Sequence, residues 1–171
     1  MKSAKKVAYG AVFSALGVLL LCAGAWIESL DASLAVAASM LVAVALIEFQ
    51  TAFSLLIWAA VTALSLVLFP LNSAAWLFGL FLGWYPVFKR RIEQIHYVLA
   101  WSVKISAFNV SAVAYWWVFT KLLQLPFDET GVLLALLWIG ANAVFVIYDM
   151  VLTRMITVYI FRLRNRLGFR G

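Results

Sequence analysis

Four ionisable residues stand in stretches otherwise apolar enough to lie in lipid: Glu48, Lys104, Asp149 and Arg154. A charge inside hydrocarbon is costly, so such groups are paired or carry a function. At about 1.5 Å of rise per residue, Lys104 falls roughly 10 Å into a fifth apolar span, and Asp149 roughly 27 Å down a sixth that runs the other way. The two depths agree. Glu48 closes the second span on that same side, and Arg154 sits one turn below Asp149. The sequence therefore predicts an intramembrane polar cluster of Lys104 and Asp149, with Glu48 at its edge and Arg154 below. Such a cluster can relay protons or ions, or dock another subunit. It can equally be a structural ion pair that pins the fifth and sixth spans.

Asn109 and Asn142 fall near the middle of the same two spans. Buried amides need partners. The pair can bond each other across the helices, or line a cavity open to the outside and read a polar ligand. Trp116 and Trp138 lie where they could wall such a cavity, since ligand sites favour aromatic linings. Several of the other tryptophans sit at expected span ends, where indoles anchor in the headgroup region.

Other chemistries find no support. The chain has no G-x-S-x-G, no H-E-x-x-H and no phosphate-binding glycine loop. No catalytic residue, metal ligand or cofactor is expected. The lone histidine, His96, reads as an interfacial side chain. The lone cysteine, Cys22, excludes an intrachain disulfide, and Leu21 before it is too large for a lipoprotein signal.

These residues need elements to hold them. Apolar residues make up 67% of the 171 and charged residues 12%, about half the charge of a soluble domain. Apolar runs long enough to cross a bilayer recur throughout. Six spans are expected, at about 5–27, 33–49, 52–70, 73–88, 97–123 and 131–161, with Pro70, Asn72, Pro126 and Gly131 marking turns. Lys2, Lys5 and Lys6, then Lys89, Arg90 and Arg91, then Arg162, Arg164, Arg166 and Arg170 then share one side. Glu28, Asp31, Asp128 and Glu129 share the other. The excess of basic residues puts both termini in the cytoplasm. The net charge of +6 is thereby a matter of topology, and no nucleic-acid partner is implied. The expected class is an all-α integral membrane protein with a single six-helix transmembrane domain over residues 1–171, in a bacterial plasma membrane.

The first span is unusually smooth. Ala4, Ala8, Ala11 and Ala15 form one stripe, and Gly10, Ser14 and Gly17 a neighbouring one. The second span adds Ala35, Ser39 and Ala43 at intervals of four. Small residues at such spacing let helix backbones approach closely. Either the first, second and sixth spans pack on one another there, or part of the stripe faces a separate membrane protein.

Six helices, both termini inside and the A-x-x-x-A pattern of the first span resemble the substrate-binding S components of energy-coupling factor (ECF) transporters. The sequence also resembles small bacterial membrane proteins that carry "IEF" at the end of the second span (Ile47–Phe49) and text like "GWYPVFKRRIE" after the fourth (Gly83–Glu93). The S-component resemblance implies capture of a vitamin or micronutrient from outside, with Ala8, Ala11 and Ala15 meeting a transmembrane coupling subunit and energy from separate ATPase subunits. Asn109, Asn142, Trp116 and Trp138 are the candidate ligand contacts, in a pocket between the last three spans. A small proton-coupled carrier and a structural assembly subunit are the rival expectations.

Overall fold

The computed structural model describes residues 3–123 and 131–163, and the described residues are helical with short turns and no strand. The helices are α1 (Ser3–Trp26), α2 (Asp31–Glu48), α3 (Thr51–Leu68), α4 (Ser73–Leu77), α5 (Tyr85–Ile92), α6 (Tyr97–Trp117) and α7 (Val132–Val158). Among the described residues five stretches are long and apolar enough to cross a membrane: Lys6–Trp26, Asp31–Glu48, Thr51–Leu68, Tyr97–Leu122 and Val132–Arg162. These coincide with five of the expected spans. The candidate charges Lys2, Arg164, Arg166, Arg170, Asp128 and Glu129 lie outside the described residues.

The expected fourth span is not one straight helix. It is broken into α4, a π turn (Phe78–Leu82) and α5, joined through Gly83 and Trp84. Pro86 stands in the first turn of α5, where its missing N–H costs nothing locally. It does, however, leave the Leu82 carbonyl without the amide donor that would continue the helix. The Tyr148 hydroxyl lies 3.4 Å from that carbonyl. Two indoles serve the same stretch: Trp58 Nε1 donates to the Gly79 carbonyl at 3.2 Å, and Trp84 Nε1 to the Leu80 carbonyl at 2.8 Å. A break inside an apolar bundle persists where side chains supply donors to the irregular backbone; here two indoles do so, while the Tyr148 hydroxyl also meets Ser39 Oγ at 3.0 Å. Asn72 starts the segment. Its side chain accepts from the amides of Ala74 and Ala75 and donates to the Leu21 carbonyl at 2.7 Å, which caps α4 and ties it to α1.

Contacts at the helix ends fix the antiparallel order. Lys6 sits 5.0 Å over the Phe53 ring near the start of α3, and Tyr159 donates to Glu48 at the end of α2. The starts of α1 and α3 and the ends of α2 and α7 thus share one end, called here the basic end because Arg90, Arg91 and Arg162 also belong to its helix termini. At the far end Ser73 donates to Asp31, joining the starts of α4 and α2.

The core lies between α2 and the broken segment. Ala35, Ala38, Ser39, Val42, Ala43 and Ala45 of α2 are buried, as are Ala74, Phe78, Phe81, Leu82 and Tyr85. The small face of α2 thus receives the aromatic face of its neighbour. In α1 the two stripes part company. Gly10, Gly17 and Gly24 recur every seven residues and face inward. A Cβ on Gly17 would stand 2.9 Å from Val61 Cγ2, and one on Gly24 would stand 3.0 Å from Ala74 Cβ. Ala8, Ala11 and Ala15 face outward and are exposed. Internal packing therefore uses the glycine stripe, against α2, α3 and α4 rather than against the last helix.

Gly17→Leu is expected to destabilise the purified protein by about 1–3 kcal/mol, the usual cost of overpacking, whereas Ala11→Leu leaves stability unchanged. Thermal unfolding in mild detergent checks both. Equal melting temperatures for the two variants would contradict this packing.

Candidate functional site

Asp149 of α7 lies at the centre of a buried charge cluster. Tyr85 Oη donates to its Oδ1 at 2.6 Å, and Lys89 pairs with the same oxygen. Lys104 Nζ lies 3.2 Å from Oδ2. Glu93, in the turn that follows α5, closes the ring. Its Oε1 is 2.7 Å from Lys89 Nζ and 3.0 Å from Lys104 Nζ. Two cations and two carboxylates thus neutralise one another. Lys89 and Lys104 are only 2% and 3% exposed, which is tolerable only because each meets two acids. The Lys104 ammonium also lies 5.2 Å from the Trp101 ring centroid, a cation–π contact.

The structure brings Lys104 and Asp149 together and leaves Glu48 out. The Glu48 carboxylate accepts from Tyr159 Oη at 3.3 Å instead. It ends α2 and is tied to the end of α7, further towards the basic end than Asp149. Arg154 is exposed and lines a cleft of about 490 Å3 beside the cluster, together with Lys104, Glu93 and Asp149. Lys89 is a correction. Its place in the basic run groups it with Arg90 and Arg91 as a topological charge, yet it is buried and bonded to Asp149, while the two arginines are exposed. Tyr85 and Glu93 escape sequence reasoning altogether. The signal is present: Tyr85, Lys89 and Glu93 step by four, the interval that places side chains on one helix face.

Towards the far end a layer of amides and rings follows. Asn109 Nδ2 donates to Asn142 Oδ1 at 3.0 Å, and Asn142 Nδ2 to Asn109 Oδ1 at 3.3 Å. The Asn109 oxygen also accepts from Trp138 Nε1 at 2.6 Å. Each amide further donates to a carbonyl of its own helix, Ile105 at 2.8 Å and Trp138 at 3.0 Å. Of the two readings open to these asparagines, the structure contains the pair bonded across the helices. Phe108 and Phe145 stack beside them at 4.7 Å, with Phe81 edge-on to both.

Beyond this layer lies an apolar cavity of about 260 Å3. Leu77, Leu80 and Phe81 line one wall, Phe108, Ser111, Ala112, Tyr115, Trp116 and Phe119 a second, and Leu134, Leu137, Trp138 and Ala141 the third. Trp116 and Trp138 are thus in the walls, whereas Asn109 and Asn142 are not. The asparagines act one step back: Asn109, itself held by Asn142, accepts from the Trp138 indole N–H and so sets the plane of that wall. No cluster of three or more His, Cys, Asp or Glu residues suited to a metal occurs among the described residues. Comparison with family models, with curated proteins and with solved structures finds no match.

Asn109→Leu is expected to cost about 1–3 kcal/mol by leaving its partners unpaired, and to move the tryptophan emission maximum. In a Trp138→Phe background the same substitution leaves emission unmoved. Identical shifts in both backgrounds would show that Asn109 does not govern Trp138.

Proposed function

We propose that this chain is the ligand-binding membrane subunit of an uptake system of S-component type. It captures a small molecule of the vitamin or micronutrient class and depends on separate coupling and ATPase subunits for energy. The observation that carries this reading is the aromatic-walled cavity between the broken segment, α6 and α7. A bundle that only had to be stable would gain by filling that volume. The walls suit the ring system of a ligand, and Ser111 and Tyr115 bring hydroxyl groups to the lining. In this reading the segment from Ser73 to Ile92 is a sixth crossing, which puts both termini in the cytoplasm of a bacterial cell and the cavity towards the outside.

The outward alanines support the second half of the proposal. Ala8, Ala11 and Ala15 form an exposed stripe of small residues on α1 between the larger exposed Val12, Leu16 and Leu19, a groove that a closely packed helix fills and hydrocarbon does not reward. The chain has no nucleotide-binding loop of its own, so ATP hydrolysis belongs to other chains.

A second reading, a small proton-coupled carrier, rests on Asp149, a carboxylate buried between two lysines. In that case the purified chain alone accumulates solute in liposomes when a proton gradient is imposed, and Asp149→Asn abolishes the uptake.

The leading reading is tested by purification from native membranes. A small molecule is expected to co-purify and to be identified by mass spectrometry, and ATPase subunits are expected in the same fraction. Ala112→Phe, which fills the cavity, removes the small molecule and keeps the subunits. Ala11→Leu has the reverse effect. Recovery of neither, with a different stable partner, would favour an assembly subunit.

A further inference from the structure

Glu93 differs from the other three members of the charge cluster. Lys89, Lys104 and Asp149 are buried, but the Glu93 side chain is 45% exposed. It stands at the C-terminal cap of α5, where the helix dipole disfavours a carboxylate. What holds it is two lysine ammonium groups converging on a single oxygen, at 2.7 and 3.0 Å. Asp149 alone cannot neutralise both lysines. Without Glu93 the interior would hold one unbalanced positive charge.

Two clefts meet at this point. One, of about 490 Å3, holds Lys104 and Arg154; the other, of about 330 Å3, holds Lys89 and Arg90; Glu93 lines both. Together their walls carry four cations and two carboxylates, Glu93 and Asp149. Removing Glu93 from the centre therefore leaves a strongly positive, two-sided recess.

We propose that Lys89 and Lys104 form an anion-binding site that Glu93 occupies as an internal, removable counter-ion, and that a phosphate group takes its place. The exchange conserves charge in the interior: one anion leaves the two ammonium groups and another arrives. Glu93 swings into water from a position it already half shares with solvent. The incoming phosphate offers more acceptor oxygens than the carboxylate, and Arg154 and Arg90 each line one of the two clefts, where a guanidinium favours phosphate as a partner. The phosphate can be soluble or part of an acidic lipid headgroup, since basic recesses between membrane helices suit both. This site is separate from the aromatic cavity and stands whether or not that cavity binds a ligand.

The test compares wild type, Glu93→Gln, Lys104→Met and Glu48→Gln at constant ionic strength. Calorimetry follows inorganic phosphate, and native mass spectrometry follows dioleoylphosphatidylglycerol against phosphatidylcholine. Glu93→Gln removes the tethered competitor and is expected to tighten binding by about tenfold or more. Lys104→Met is expected to abolish it. Glu48→Gln adds the same charge at the same end of the bundle and is expected to change nothing. Enhancement of inorganic phosphate binding identifies a soluble ligand; enhancement confined to the phosphatidylglycerol identifies a lipid. No binding by wild type or Glu93→Gln, or equal enhancement by Glu48→Gln, would overturn the proposal. Glu93→Gln alters a half-exposed side chain and is measured as a gain, so it decides the matter even if Lys104→Met fails to fold.

Discussion

A carboxylate in an apolar bundle must be neutralised where it stands, and Asp149 imposes that demand on the rest of this fold. Its partners come from two other helices: Lys89 and Tyr85 from α5, and Lys104 from α6. No single rotation or slide of these helices can preserve all three contacts. Replacing a buried ion cluster with apolar residues often leaves a protein equally stable. The cluster's contribution here is therefore best described as register: it admits one depth for α5 and α6 against α7.

Register at the basic end has consequences at the other. Along α7 the charge cluster, the asparagine and phenylalanine layer and the cavity wall follow in order, with Asp149 and Ala141 about 12 Å apart at helical rise. The same α6 residues that meet Asp149 and Asn142 lead on to Tyr115, Trp116 and Phe119. The break at Pro86 belongs to this arrangement. Tyr85 and Lys89 beside it face α7, and the carbonyl it frees lies against Tyr148, the neighbour of Asp149. Backbone irregularity and buried charge thus meet at adjacent residues of one helix.

Much of this is legible in the residues. Apolar run length picks out, among the described residues, five helices long and apolar enough to cross a membrane, because lipid thickness sets a minimum that few other constraints mimic. Depth arithmetic places Lys104 beside Asp149, and Asn109 beside Asn142, because a straight helix advances by a fixed rise. The fourth span resists the same treatment. A π turn and a proline change the pitch, so neither its ends nor its facing follow from counting. Lys89 is misassigned for a related reason. In a run of Lys89, Arg90 and Arg91 the topology rule treats all three alike, whereas helical geometry sends the first inward and the others out. In α1, composition reveals two small-residue stripes but not which faces the protein. That is decided by Phe53 and Val61 on α3, which need the room that only Gly10 and Gly17 leave.

The claim that Asp149 and its lysines set the register of the bundle is most directly tested by a double-mutant cycle on Lys89 and Asp149, followed by reversible unfolding in detergent. Lys89→Met and Asp149→Leu are each expected to cost about 3–5 kcal/mol by stranding a buried charge, while the double variant recovers much of that loss. Strictly additive costs, or single substitutions without effect, would contradict the claim.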